Sequence, residues 1–303
     1  YILSELEVWG RGGPVWQPKP QPSLQPDGRL TLSGGAWKLQ RDSLVPADGP
    51  ALSRPGFADG AWLPATVPGT TLTSYYNAGA VPDPNFSDNQ VMISDSFFHA
   101  GFWYRNEFIA PASYQGRRAW LNFDGINWKA DVYLNGEKLG RIEGGFTRAR
   151  FDVTARLRLG QRNALAVRVE KNSISGSVKE KTFENPDMNG GVLGADNPTY
   201  HASIGWDWIP TIRGRNTGIW NDVFLSSSGD VKLSDPLIVS RLPLPDTSRA
   251  EVTVEVVARN YAAQPVEGIL RGRFGAQDFQ QNVALAALDT RALQVRITVE
   301  NPR

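Results

Sequence analysis

The densest gathering of chemistry-bearing side chains is Tyr200-His201-Ala202-Ser203-Ile204-Gly205-Trp206-Asp207-Trp208-Ile209-Pro210. Arg213, Arg215, Asn216 and Gly218-Ile219-Trp220 follow closely. A carboxylate between two indoles suits carbohydrate. It accepts hydrogen bonds from neighbouring hydroxyls, while an indole face covers the apolar C–H face of a pyranose. In an extended chain Trp206 and Trp208 point one way and Asp207 the other, so a turn is needed before all three meet one ligand. The alternative buries both indoles and ties Asp207 to backbone N–H groups. The motif follows an irregular stretch, Asn172 to Asn197, rich in Gly and Asn, and loops of that length are often functional.

A second candidate is Val81-Pro82-Asp83-Pro84-Asn85-Phe86-Ser87-Asp88-Asn89-Gln90, stiffened by two Pro and flanked by Tyr75, Tyr76, Phe97 and Phe98. It offers Asp83, Asn85 and Asp88 to a ligand, or forms a surface turn with Asx caps. His99 and His201 read as structural hydrogen-bonding residues. Arg148, Arg150, Arg156, Arg158 and Arg162 are interleaved with acids and read as solvated strand faces. The chain carries no G-x-S-x-G elbow, no phosphate-binding glycine loop and no H-E-x-x-H. No spacing of carboxylates nominates a glycosidase pair.

The elements that must position these residues are strands. Gly 30 and Pro 21 in 303 residues make about one residue in six, above the usual total of roughly 12%. Ala119, Leu121 and Phe123 alternate, as do Ala130, Val132 and Leu134 before the hairpin dipeptide Asn135-Gly136, and Leu165, Val167 and Val169. One short helix fits Thr70 to Asn77. Strands at this spacing predict a sandwich. All 10 Trp lie at or before Trp220, and from Val231 the chain turns Val/Leu/Ala-rich, with Val252, Val254 and Val256 alternating. A second sandwich of about four or five strands is expected there, fewer than the roughly seven of a full immunoglobulin-like domain.

Lys+Arg 32 against Asp+Glu 31 gives a net charge of +1, which offers no general grip on nucleic acid or an anionic membrane. Zero Cys excludes disulfides, thiolate metal sites and cysteine nucleophiles, and two His cannot build a multi-histidine metal site. No apolar run approaches the roughly 20 residues needed to cross a bilayer. Neither cofactor, metal, nucleic acid nor membrane is expected as a partner. Leu3 to Gly10 looks like the last strand of a discoidin-type domain, and Pro14 to Pro26 reads as an extended linker. Leu293, Val295, Ile297 and Val299 alternate up to the end of the chain. The expectation is an internal stretch of a longer protein.

The ordered motifs Gly34-Gly35-Ala36-Trp37, Phe57 to Trp62 (FADGAW), Val67-Pro68-Gly69-Thr70, Phe102-Trp103-Tyr104-Arg105, Leu121 to Gly125, Asp131 to Gly136 and Gly218-Ile219-Trp220 resemble the N-terminal half of glycoside hydrolase family 2. The resemblance implies an all-β chain. A jelly-roll, galactose-binding-like β-sandwich would occupy 28–228, and a partial immunoglobulin-like β-sandwich 229–303. Residues 1–27 would hold the end of the discoidin-like domain and the linker. Gly205-Trp206-Asp207-Trp208 is similar to the motif of β-mannosidases, in which this loop reaches the active site and its Asp binds hydroxyls in the −1 subsite. That role falls here on Asp207, with Trp206 or Trp208 shaping the pocket wall.

Those enzymes usually continue with Gly-Pro where this chain has Ile209-Pro210. The run Ile212 to Trp220, with Val81-Pro82-Asp83-Pro84, looks more like exo-β-glucosaminidases and endo-β-mannosidases acting on N-glycans. The family's two catalytic Glu lie on a (β/α)₈ barrel, so the resemblance assigns no catalytic residue to this segment. The segment alone is expected to be inactive. It implies a retaining exo-acting β-glycosidase, with a β-linked oligosaccharide or glycan and the barrel of the same protein as partners, in a periplasmic or secreted setting. A stand-alone carbohydrate-binding module is the rival expectation.

Overall fold

The structure, a computed structural model, describes residues 22–34, 36–178, 182–184, 191–192, 212–275 and 277–302. The discoidin-like strand and most of the linker expected before them lie outside the described residues. The described chain is all-β with a few short helices, as expected. It falls into two compact units, one holding the residues up to Gln115 and Ala119–Ser227, the other Gly116–Arg118 and Ser228 onward.

The first unit is a sandwich. A six-stranded antiparallel sheet runs Leu63–Pro64, Lys38–Arg41, Phe102–Ile109, Arg162–Val169, Lys129–Leu134, Glu137–Glu143. A five-stranded sheet runs Ser23–Leu24, Leu30–Thr31, Val223–Ser228, Arg118–Phe123, Ala149–Asp152. Strand alternation sends Phe102, Tyr104, Val132, Leu134, Leu165 and Val167 inward from one sheet and Leu30, Leu121, Phe123, Val223 and Leu225 from the other. Each such side chain contributes about 1.5–3 kcal/mol on burial. Asn135 (φ 52°) and Gly136 (φ 97°) turn Lys129–Leu134 into Glu137–Glu143. Both φ values are positive, as a two-residue primed turn demands. The expected helix forms over Thr71–Asn77, with the Thr70 hydroxyl accepting the Thr73 N–H at 3.1 Å.

Several family motifs meet on the outer face of the six-stranded sheet. Arg105 is 2% exposed, and its guanidinium donates to Asp59, to Glu107 and to the Leu52 and Arg54 carbonyls. Trp62 and Trp103 pack with Leu52 and Ala166 beside it. FADGAW thus contributes Asp59 and the buried Trp62, and FWYR the buried Trp103 and Arg105, to one structural cluster.

The second unit has a three-stranded sheet, Val231–Arg241, Arg249–Asn260, Thr290–Glu300, and a two-stranded one, Val266–Phe274 with Gln277–Leu285. Its buried core is small: Val256, Ala258, Leu270, Leu285 and Leu293. Beside these runs an apolar cleft of about 460 Å³ lined by Leu233, Ile269 and Val283 among others. No helix among the described residues is long and apolar enough to cross a membrane.

Candidate functional site

Trp206, Asp207 and Trp208 lie outside the described residues. Two described stretches on either side of them, 172–177 and 212–220, meet on the first unit. The chain leaves the sandwich after Val169 and is next held at Asn172 and Ser175. Asn172 Oδ1 accepts the Trp128 indole N–H at 3.2 Å, and the Ser175 carbonyl accepts Arg215 Nε–H at 3.0 Å. The chain is described again from Ile212, which packs on a satellite core of Leu72, Val81, Ile93 and Phe98. Tyr75 fills the same cluster, with its ring centroid 5.5 Å from Phe97 and 5.6 Å from Phe98, edge to face.

The next residues form a tight turn. Gly214 (φ 78°), Arg215 (φ 50°) and Asn216 (φ 56°) are all left-handed. A non-glycine residue there costs about 1–3 kcal/mol, so surrounding contacts must hold it. They do. Arg213, 1% exposed, donates to the Ile93 carbonyl at 2.7 Å and the Val91 carbonyl at 3.0 Å. Arg215 grips Asp95 with both terminal nitrogens, at 2.5 and 2.8 Å, and its own carbonyl accepts Asn127 Nδ2–H at 3.1 Å. The Thr71 N–H donates to the Thr217 carbonyl at 2.8 Å.

Gly218 follows at φ 143° and exchanges backbone hydrogen bonds with Asn127. A Cβ there would meet the Tyr104 hydroxyl at 2.8 Å and the Gly69 carbonyl at 2.9 Å, so only glycine fits. Trp220, at the end of this motif, donates its indole N–H to the Gly145 carbonyl at 2.8 Å, and Phe146 meets its ring edge to face at 5.7 Å.

His99 Nε2 lies 2.9 Å from Asp95 Oδ2, which makes it the donor to an ionised carboxylate. Burial disfavours the charge on Asp95. The hydrogen bonds and charge of Arg215, then those of His99, outweigh burial and hold the carboxyl below its ordinary range.

Asp83 and Asn85 lie on the loop ahead of Val91 and Ile93. Asp83 Oδ1 accepts the Asn85 N–H at 2.9 Å, and the Asp83 carbonyl accepts Asn89 Nδ2–H at 2.8 Å. This is an Asx turn, the alternative raised for the stretch. The Tyr76 hydroxyl donates to the other oxygen, Asp83 Oδ2, at 3.5 Å, and a carboxylate with about four acceptor positions keeps capacity for a further donor. The Asn85 side chain is exposed, and Phe86 beside it is 69% exposed. Spacing along the chain did not point to the Asp95–Arg215 pair, whose members stand 120 residues apart.

The fold has counterparts among known proteins. The sequence profile described as "Glycosyl hydrolase 2 galactose-binding domain-like" matches residues 37–221. The chain belongs to glycoside hydrolase family 2. Within the family it is 30% identical over 299 residues to an exo-β-D-glucosaminidase of Streptomyces avermitilis, covering 96% of this chain and 30% of that protein. It is 34% identical over 221 residues to the mannosylglycoprotein endo-β-mannosidase of Lilium longiflorum, covering 70% of this chain and 22% of that one. The crystal structure of the Amycolatopsis orientalis exo-chitosanase CsxA superposes with a TM-score of 0.71 at 26% identity, over 88% of this chain and 29% of that chain. The chain thus spans less than a third of the length of these relatives.

Proposed function

We propose that this chain is the N-terminal part of a retaining, exo-acting β-glycosidase of the exo-β-glucosaminidase or β-mannosidase type. In this reading the segment carrying Asp207 contributes to the −1 subsite. Hydrolysis itself takes place on a barrel outside this chain. One carboxylic acid there protonates the leaving oxygen, and a carboxylate attacks the anomeric carbon. Water then releases the sugar from the glycosyl-enzyme. Asp207 accepts hydrogen bonds from hydroxyls of the bound pyranose, with Trp206 or Trp208 forming the pocket wall. Such contacts accelerate the reaction to the extent that they tighten as the ring flattens toward the transition state.

The observation that carries this reading is the likeness to the Streptomyces exo-β-D-glucosaminidase, 30% identical along 96% of the chain. The contacts of Arg213 and Arg215 support it, because they tie the chain just beyond the segment carrying Asp207 to the end of the loop that carries Asp83 and Asn85. The test is kcat/KM of the full-length protein with Asp207→Ala. Losing hydroxyl contacts to a charged acceptor is expected to cost about 2–4 kcal/mol, with the fold retained. An unchanged kcat/KM would leave the segment a scaffold only.

The likeness to the Lilium endo-β-mannosidase, 34% over 221 residues, favours a second reading in which the full-length protein cleaves within an N-glycan. Product analysis separates the two. Exo action releases a monosaccharide, and endo action releases an oligosaccharide.

A further inference from the structure

The chain carries 32 Lys and Arg in 303 residues, yet none falls between Arg54 and Arg105. The acids of that stretch are Asp59, Asp83, Asp88 and Asp95. Asp59 is held by Arg105, and Asp95 by Arg215. Asp83 makes no ion pair among the described residues. Neutral donors orient it instead, the Asn85 N–H on Oδ1 and the Tyr76 hydroxyl on Oδ2. Each oxygen keeps a lone pair, and the negative charge stays uncompensated.

The loop around Asp83 is tied down at both ends and across its middle. Val81 and Ile93 are buried in the satellite core. The Asp83 carbonyl accepts the Phe86 N–H at 3.2 Å and Asn89 Nδ2–H at 2.8 Å, and the Phe86 carbonyl accepts the Asn89 N–H at 3.1 Å. A turn of this kind brings the Cα atoms of Asp83 and Phe86 within about 7 Å. Phe86 is 69% exposed and Tyr76 39%. Exposed rings are ordinary when scattered singly. Here two of them share a small, fixed loop surface with an uncompensated carboxylate and the exposed amide of Asn85.

We propose that Asp83, Asn85 and Phe86 bind a protonated amino sugar, a glucosamine unit of a β-linked oligosaccharide. The Asp83 carboxylate accepts a charge-assisted hydrogen bond from the ammonium group. The Phe86 ring covers the apolar C–H face of the pyranose, and the Asn85 amide meets a hydroxyl. An anionic sugar would find no Lys or Arg on this stretch, and a neutral one would leave the charge of Asp83 unmatched. The inference rests on the glycosidase reading above and takes the glucosaminidase branch of it.

The experiment is calorimetric titration of the full-length protein with two tetramers joined through sulfur, a linkage that resists hydrolysis. One is built of glucosamine, and the other of its uncharged N-acetylated form. Wild type is expected to prefer the charged tetramer. Asp83→Asn keeps an acceptor for the Asn85 N–H and removes only the charge. It is expected to lose about three- to five-fold of that preference, the effect of one exposed ion pair. Phe86→Ala is expected to weaken both tetramers by about five-fold.

A wild type that binds neither tetramer overturns the proposal. So does an Asp83→Asn variant with the full wild-type preference, or a Phe86→Ala variant that binds both tetramers as wild type does. Hydrolysis plays no part in these titrations. They therefore decide the role of this loop whatever Asp207→Ala does to kcat/KM.

Discussion

The side chains of Asp95 and Arg215 are 7% and 4% exposed, so each has given up nearly all its water for the other. Removing one partner strands the other. Asp95→Ala is therefore expected to destabilise the chain by about 3–5 kcal/mol in urea unfolding. The carboxyl of Asp95 is held below its unfolded value near 3.9, so the stability it contributes is fully present above that value. It is lost as pH falls through the lower, folded value. The stability gap between wild type and Asp95→Asn is expected to be widest near neutrality and to close below about pH 4. A gap that stays constant from neutral to acid pH would show that the charge on Asp95 does no work. None of this is visible in the local sequence. Arg213 and Arg215 stand out as basic residues after the Trp-Asp-Trp motif, but their partners at Val91, Ile93 and Asp95 lie on a distant loop.

Elements whose instructions are local were legible. Asn135-Gly136 announces a hairpin, and the structure gives both residues positive φ between paired strands. The alternation in Ala130, Val132 and Leu134 reappears as strictly alternating burial over Lys129–Leu134. Gly136→Ala is expected to cost about 1–2 kcal/mol by thermal unfolding, the strain of a Cβ in left-handed backbone. The space itself is open enough, since the nearest atom to that Cβ would be Arg54 Nε at 3.4 Å. A loss near zero would mean that the turn changes type at little cost. Motifs that depend on partners from elsewhere were legible as a family signature but not as structure. FADGAW and FWYR were quoted separately, and only the fold reveals Asp59 as the half-buried partner of the buried Arg105. The Asx turn at Asp83 was legible as an alternative, because Pro-Asp-Pro-Asn offers a carboxylate to a backbone N–H two residues on.

On the scale of the whole molecule, the two units differ in how fully they are built. The first has a continuous core spanning both sheets, whereas the main cluster of the second holds only Val256, Ala258, Leu270, Leu285 and Leu293, beside an open apolar cleft. Among the described residues the tryptophans, the strained turn at Gly214–Asn216 and the buried Asp95–Arg215 pair all belong to the first unit, which is where a sugar-contacting role is proposed. The chain covers less than a third of its relatives' length, so the proposed part in hydrolysis is tested on the longer protein. The most direct measurement is a crystal structure of that protein with a glycosidase inhibitor seated beside the catalytic carboxylates. The account predicts the Asp207 carboxylate within hydrogen-bond reach, about 2.5–3.0 Å, of a hydroxyl on the sugar ring. A carboxylate found capped by main-chain N–H groups inside its own sandwich, with no sugar hydroxyl within reach, would contradict it.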